Sequence, residues 1–256
     1  FSAYLNFRNQ DVLDALHDIL VSWINKGVDG FYFTDVSLLT FKNEFNEEGE
    51  VIGVKQNVDE DVEIWSSILQ RLRNVNENLE FHADFGIAPN SVLVLDYPKI
   101  TSIEDTLKYL KAGFTNVTGN DVIYAVTELD AYKLAALYTK YTAYGIQNSF
   151  IFSATDYFYE RLKRFFAPND TENSTLVKLR AILTLPGIPT FIHGDELGYN
   201  STYEESELFV AMNWTDEEPL FGFSTNENSQ NYIDSTQSTV PNNNILKTFK
   251  QLVKLR

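Results

Sequence analysis

Short apolar runs alternating with amphipathic helical stretches constrain this chain more than any other feature. Residues 11–25, "DVLDALHDILVSWIN", place Val12, Leu13, Leu16, Ile19, Leu20, Trp23 and Ile24 at three- and four-residue spacing, which predicts a helix with one apolar face. Lys26 and Gly27 end it, and an apolar run follows at 28–34. The pattern recurs with helices at 59–74, 102–112, 130–145, 174–185 and 243–255, and strands at 79–85, 122–127, 149–154 and 189–193. Strands separated by helices of this length predict a parallel sheet with right-handed crossovers. The pattern alone leaves an open doubly wound sheet and a (β/α)8 barrel both standing. No glycine-rich phosphate loop follows any strand, which speaks against a nucleotide-binding Rossmann domain.

Every expected strand closes on acidic residues: Thr34-Asp35, Ala83-Asp84, Thr127-Glu128, Ala154-Thr155-Asp156 and Gly194-Asp195-Glu196. Function gathers at such carboxyl ends in α/β barrels. Asp is also an ordinary turn and N-cap residue, so the placement has a purely structural explanation beside the functional one.

Charge narrows the partners. A formal net charge of −16, with no Lys/Arg-rich run of five or more, argues against nucleic acid and against adsorption to anionic lipid. No run of eighteen apolar residues is present, and there is no cysteine for a disulfide or thiolate metal site. His17, His82 and His193 are too dispersed for a metal cluster, and His82 reads as a core residue; neither a metal nor a cofactor is expected. The acidic stretches "NEEGE" and "TDEEPLF" lack the pattern of a calcium loop.

Asn-x-Ser/Thr triplets at Asn116, Asn169, Asn173, Asn200 and Asn213 point to an extracellular or luminal location. The first four lie in stretches expected to be exposed loops, and Asn213 is expected to be partly buried beside Trp214.

Several segments resemble the α-amylase clan of glycoside hydrolases, in its α-glucosidase branch. "YLNFRNQDVLDALHDILVSWINKGVDGF" is similar to the clan's helix leading into barrel strand four, and "AILTLPGIPTFIHGDELG" to its seventh helix and eighth strand. "AMNWTDEEPLFGFS" resembles the loop after strand eight, and "ILKTFKQLVKLR" the eighth helix. The resemblance runs over essentially all 256 residues in the family's order. It implies an α/β fold: strands four to eight, with their helices, of a (β/α)8 TIM barrel of the α-amylase type. It also implies that residues 1–256 form a partial barrel, with strands one to three and the C-terminal β-sandwich outside this segment, hence a portion of a longer polypeptide.

The same resemblance implies losses of chemistry. Retaining glycosidases use two carboxyl groups about 5–5.5 Å apart, one as nucleophile and one as acid/base. The family's nucleophile frame lands on Thr34, which has no carboxylate, and its arginine on Tyr32. Asp84 takes the place of the acid/base glutamate, one methylene short. At strand seven Thr155 replaces the family's histidine, while Asp156 keeps its carboxylate. Asp35, next to an inward residue on a strand, is expected to face outward. These departures, with the five sequons, resemble the heavy subunits of heteromeric amino-acid transporters. That likeness implies an inactive ectodomain at the cell surface, held by a single-pass anchor outside this segment and paired with a multi-spanning light subunit. A working α-glucosidase with displaced carboxylates and a non-catalytic module with weak sugar binding are the alternatives.

Overall fold

A computed structural model describes residues 5–85, 103–153, 171–191, 195–197 and 244–256. Its contacts divide into two units, Phe1–Thr118 and Gly119–Arg256.

In the first unit, helix α1 (Gln10–Ile24) is opened by Asn9, whose side chain accepts from the Asp11 amide, and leads into β1 (Gly30–Phe33). A hairpin follows, β2 (Phe41–Phe45) antiparallel to β3 (Val51–Gln56), and then helix α2 (Val58–Arg73). Strand β4 (Glu80–Ala83), helix α3 (Ile103–Ala112) and β5 (Asn116–Thr118) complete the unit. The strands run parallel in the order β1-β4-β5, with Tyr32 opposite His82 and His82 opposite Asn116.

Two-residue alternation gives this sheet two chemically different faces. Phe31, Phe33 and Phe81 stack against one another, and Phe33 lies 4.8 Å from Trp65 of α2 and 6.2 Å from Phe114. Leu69, Leu72 and Tyr109 close this core from α2 and α3. Tyr32, His82 and Asn116 occupy the opposite face. β1 presses so closely on β4 at Gly30 that a Cβ there would lie 2.2 Å from the Glu80 carbonyl oxygen.

A buried polar network mounts the hairpin. Thr40 donates to Oδ1 of Asp61 at 2.6 Å, and the Gln56 amide nitrogen donates to the Ser37 carbonyl. The Trp65 indole donates to the Val36 carbonyl at 2.7 Å. Asp61 is fully buried, and its Oδ2 has no hydrogen-bond partner, as is true of the buried Tyr109 hydroxyl.

In the second unit, helices α4 (Asn120–Thr127) and α5 (Ala131–Ala143) precede β6 (Phe150–Ser153), which pairs in parallel with β7 (Ile188–Thr190). Asp130 caps α5 by accepting from the Lys133 amide. Helix α6 (Glu172–Thr184) packs on α7 (Asn244–Leu255) through Leu179, Leu183 and Ile245, with Phe191 and Phe249 edge to face. Arg256 donates to the Leu183, Leu185 and Gly187 carbonyls, so a cation satisfies the acceptor end of α6.

Three sequence expectations change. The run 122–127 is helix α4, not a strand: Val122, Ala125 and Val126 are its buried positions, at helical spacing. The strand in that part of the chain is the shorter β5, so Asn116 is a buried strand residue and not a loop asparagine. Asn173 is exposed, but in the first turn of α6. The hairpin β2–β3 is an addition to the expected helix–strand alternation. The sequons at Asn169, Asn200 and Asn213 lie outside the described residues.

Two measurements probe this architecture. Gly30→Ala forces β1 away from β4 and is expected to cost about 1–3 kcal/mol, read as a lower denaturant midpoint at unchanged slope. Burial, the largest cause, raises the Asp61 carboxyl from its ordinary 3.8 to about 6; the Thr40 and Leu39 hydrogen bonds oppose this and Glu60 adds to it. The folded state therefore binds the proton more tightly than the unfolded chain, so this contribution is complete below about pH 4 and is lost as pH rises through about 6. Relative to Asp61→Asn, the wild type should lose up to about 3 kcal/mol between about pH 4 and about pH 7. Parallel pH dependences of the two proteins would contradict the assignment.

Candidate functional site at the carboxyl ends of the first three parallel strands

The face opposite the aromatic core carries polar groups at the ends of β1, β4 and β5. Backbone pairing persists beyond β1 and β4: the Asp84 amide donates to the Phe33 carbonyl at 2.8 Å, and the Val36 amide to the Asp84 carbonyl at 3.0 Å. Two residues beyond the Tyr32–His82–Asn116 row, the alternation brings up Thr34, Asp84 and Thr118.

Asp84 is the centre of the cluster. The Tyr32 hydroxyl donates to its Oδ2 at 2.7 Å, and the Thr118 hydroxyl lies 3.4 Å from its Oδ1. The Phe85 amide in turn donates to the Thr118 hydroxyl oxygen at 3.3 Å. Both carboxylate oxygens thus face hydroxyls of neighbouring strands. Tyr32 remains 48% exposed, so its ring offers an open apolar surface beside the carboxylate. Thr34 is exposed on the same face.

Asp35 departs from expectation. Its backbone adopts φ +53°, in the left-handed region that non-glycine residues rarely enter, and this ends the alternation of β1. Its Oδ1 is enclosed without a hydrogen-bond partner. Burial chiefly, and then the charge of Asp84, push the Asp35 carboxyl above its ordinary range. Asp35 is therefore within electrostatic reach of Asp84 rather than on an unrelated outward face. The left-handed turn achieves the redirection that a bulge would otherwise supply.

His82 is also placed differently from the core position expected. It lies on the polar face, partly exposed, with Nε2 3.5 Å from Glu80 Oε2 and Nδ1 enclosed without a partner. His17 sits on α1, away from the strand ends, with Nδ1 3.6 Å from Asp18. Thr155, Asp156 and His193 lie outside the described residues, and Asp195 is buried in the 3-10 turn Asp195–Leu197 of the second unit. No group of three or more metal-ligating side chains occurs among the described residues.

The structure thus brings Tyr32, Asp84 and Thr118 into contact and sets Asp35 and Thr34 beside them. Thr118 is hidden in the sequence because the longer apolar run after it draws the expected strand downstream. Asp35 is hidden because simple alternation, carried two residues past the end of β1, turns it the wrong way. A site of this kind can hydrogen-bond a polyhydroxylated ligand, and it presents two carboxyl groups for acid/base work. At Thr34 it presents none.

Comparison with known proteins gives the fold its relatives. The alpha-amylase catalytic-domain family matches residues 2–256. No curated protein matches the chain. Among solved structures, Amy13B of Eubacterium rectale is similar at 17% identity and a TM-score of 0.67, over 98% of this chain and 47% of that one. The trehalose-6-phosphate hydrolase of Bacillus licheniformis is similar at 14% identity and 0.63, over 98% and 53%. An alpha-amylase of Anoxybacillus is similar at 12% and 0.56, over 98% and 45%. The chain spans about half the length of these structures. Its parallel strands and helices are part of a (β/α)8 barrel of the same kind.

Proposed function

Given that this chain belongs to the alpha-amylase catalytic-domain family, we propose that it is a non-hydrolytic member, the ectodomain of a heavy subunit that supports a heteromeric amino-acid transporter. One observation carries the first half of this reading. The position just after β1 that the family resemblance assigns to the nucleophile is Thr34, while Tyr32, in the place of the family's arginine, donates its hydroxyl to Asp84. A threonine cannot form the glycosyl ester of a retaining mechanism as a carboxylate does. A tyrosine hydroxyl brings no positive charge to hold a nucleophile ionised.

The second half rests on the resemblance to transporter heavy subunits and on the sequons. The protein in this reading is glycosylated, faces the outside of the plasma membrane, is held by an anchor beyond this segment and pairs with a multi-spanning light subunit. Weak sugar binding through Tyr32 and Asp84 is compatible with it. No described helix is long and apolar enough to cross a membrane. Of the sequon asparagines described, Asn173 is exposed and Asn116 is buried, so a glycan is expected on the former and none on the latter.

A second reading is favoured by one specific feature, the left-handed turn at Asp35 that brings a second carboxyl group under the influence of Asp84. Here Asp35 and Asp84 make a displaced catalytic pair.

The complete glycosylated protein separates the readings. Glucose release from maltose and from an aryl α-glucoside should stay at background, unchanged by Asp84→Asn or Asp35→Asn. Turnover that falls by about a hundredfold or more in either variant would establish the displaced pair and end the non-hydrolytic reading. Detergent purification from native membrane should recover a multi-spanning partner in constant ratio, and peptide mapping should find the glycan at Asn173. Recovery of the protein without such a partner would end the transporter reading.

A further inference from the structure

The hairpin β2–β3 is an exposed arm whose tip has no role in the strand-end site. Its two ends differ sharply in construction. At the base, Arg8 forms a two-pronged ion pair with Glu60, both contacts at 2.6 Å, and also donates to the Phe41 carbonyl at 3.1 Å. The Asn57 amide donates to the Thr40 carbonyl, and the buried Thr40–Asp61 and Gln56–Ser37 bonds hold the strands where they leave the core. Burying a carboxyl group to fasten a surface hairpin is costly, which makes the hairpin a mounted element rather than a loose excursion.

At the tip, Phe45 and Val51 are cross-strand partners and so share a face. They are 59% and 56% exposed. The turn between them is internally bonded. The Asn46 amide donates to the Glu50 carbonyl at 3.0 Å, the Glu50 amide to the Asn46 side-chain oxygen at 2.7 Å, and the Gly49 amide to the Asn46 carbonyl at 3.1 Å. Gly49 has φ +81°, which only glycine adopts freely. Residues 45–51 contain three glutamates, Glu47, Glu48 and Glu50, and no basic residue. All three are exposed.

From this geometry we infer that the hairpin tip is a docking arm for a protein partner whose surface offers an apolar pocket rimmed by lysine or arginine. The Phe45–Val51 pair is the anchor that fills the pocket, and the glutamates meet its rim. Charge selects this occupant over others. A chain of net charge −16 repels a second copy of itself, and an anionic bilayer repels the tip. Sinking the tip into a hydrocarbon layer would desolvate three glutamates. A basic-rimmed protein surface gains from both features at once. The preformed turn lowers the cost of ordering on binding.

A photoreactive benzoylphenylalanine at position 45 of the full chain, expressed in its own type of cell, tests the arm. Position 132 serves as the control, since Tyr132 is 91% exposed and lies in the other unit. Irradiation should give one dominant protein adduct from position 45, whose crosslinked peptide has lysine or arginine beside apolar residues. Its yield should fall about tenfold in Val51→Asp, the scale of losing an anchor side chain, and comparably in Glu47→Lys/Glu48→Lys. An unchanged thermal transition keeps both variants interpretable, because the hairpin base is untouched. Adducts only to lipid, to another copy or to another part of the same chain would overturn the inference. So would yields insensitive to the charge reversal, an equal pattern from position 132, or no adduct at all. The inference does not depend on the transporter reading: a dominant adduct with a protein that spans no membrane supports the docking arm, while that reading ends only if purification recovers no multi-spanning partner.

Discussion

Everything at the strand ends depends on the close, in-register pairing of β1 with β4. Only a residue without a Cβ fits at Gly30, where the Glu80 carbonyl oxygen already occupies the space a methyl group would take. That contact sets Tyr32 opposite His82, and the pleat then sends the Tyr32 hydroxyl toward Asp84, two residues further along the neighbouring strand. The same pairing stacks Phe31, Phe33 and Phe81 on the other side, where Trp65 and Phe114 bury them. One register thus builds an apolar helix-facing layer and a polar face in the same stroke. A slip by one residue would exchange them.

In the non-hydrolytic reading proposed above, the departures of the polar face from the family pattern are connected. Tyr32 supplies a neutral hydroxyl donor where the resemblance places a cation, and that donor reaches Asp84 directly. Thr34 adds no charge, and the second carboxyl group of the face is that of Asp35, turned by a left-handed backbone and raised above its ordinary value by burial first and then by the charge of Asp84. Replacing one charge alone would leave its counter-charge without compensation in a half-buried place. On that reading, loss of cation and nucleophile together would keep the electrostatics of the face tolerable.

Legibility in the sequence follows periodicity. Helices α1, α2, α5, α6 and α7 are visible because apolar positions recur every three or four residues over three turns or more, and β1 and β4 because their apolar runs end at turn residues. Where a run is short, the physics is ambiguous. "VIYAVT" suits a buried strand as well as a helix, and its neighbour "NVT" is too brief to compete, so β5 and Thr118 are lost from view together. The hairpin does leave a trace, in "FKNEF" and "VIGVKQ" on either side of a glycine-containing turn, but its glutamates suggest a failed calcium loop before they suggest a tip. Asp35 cannot be placed from sequence at all, because a positive φ at a non-glycine residue is set by what surrounds it rather than by its own preference.

The hairpin and the strand-end site share a support, and that links two otherwise separate features. Segment 34–40 leaves β1 carrying Asp35 at one end and Thr40 at the other, and Thr40 is tied to the buried Asp61. Between them the Val36 amide donates to the Asp84 carbonyl, and its carbonyl accepts from the Trp65 indole. A force on the arm is therefore resisted first by the Thr40–Asp61 bond and next by the residues that set Asp35 beside Asp84. Energetically, the segment can move only if these bonds break in company, since each by itself contributes little beside the cost of leaving its buried partner unpaired. Docking at the tip would accordingly load the Thr40–Asp61 bond before it reached Asp35 and Asp84.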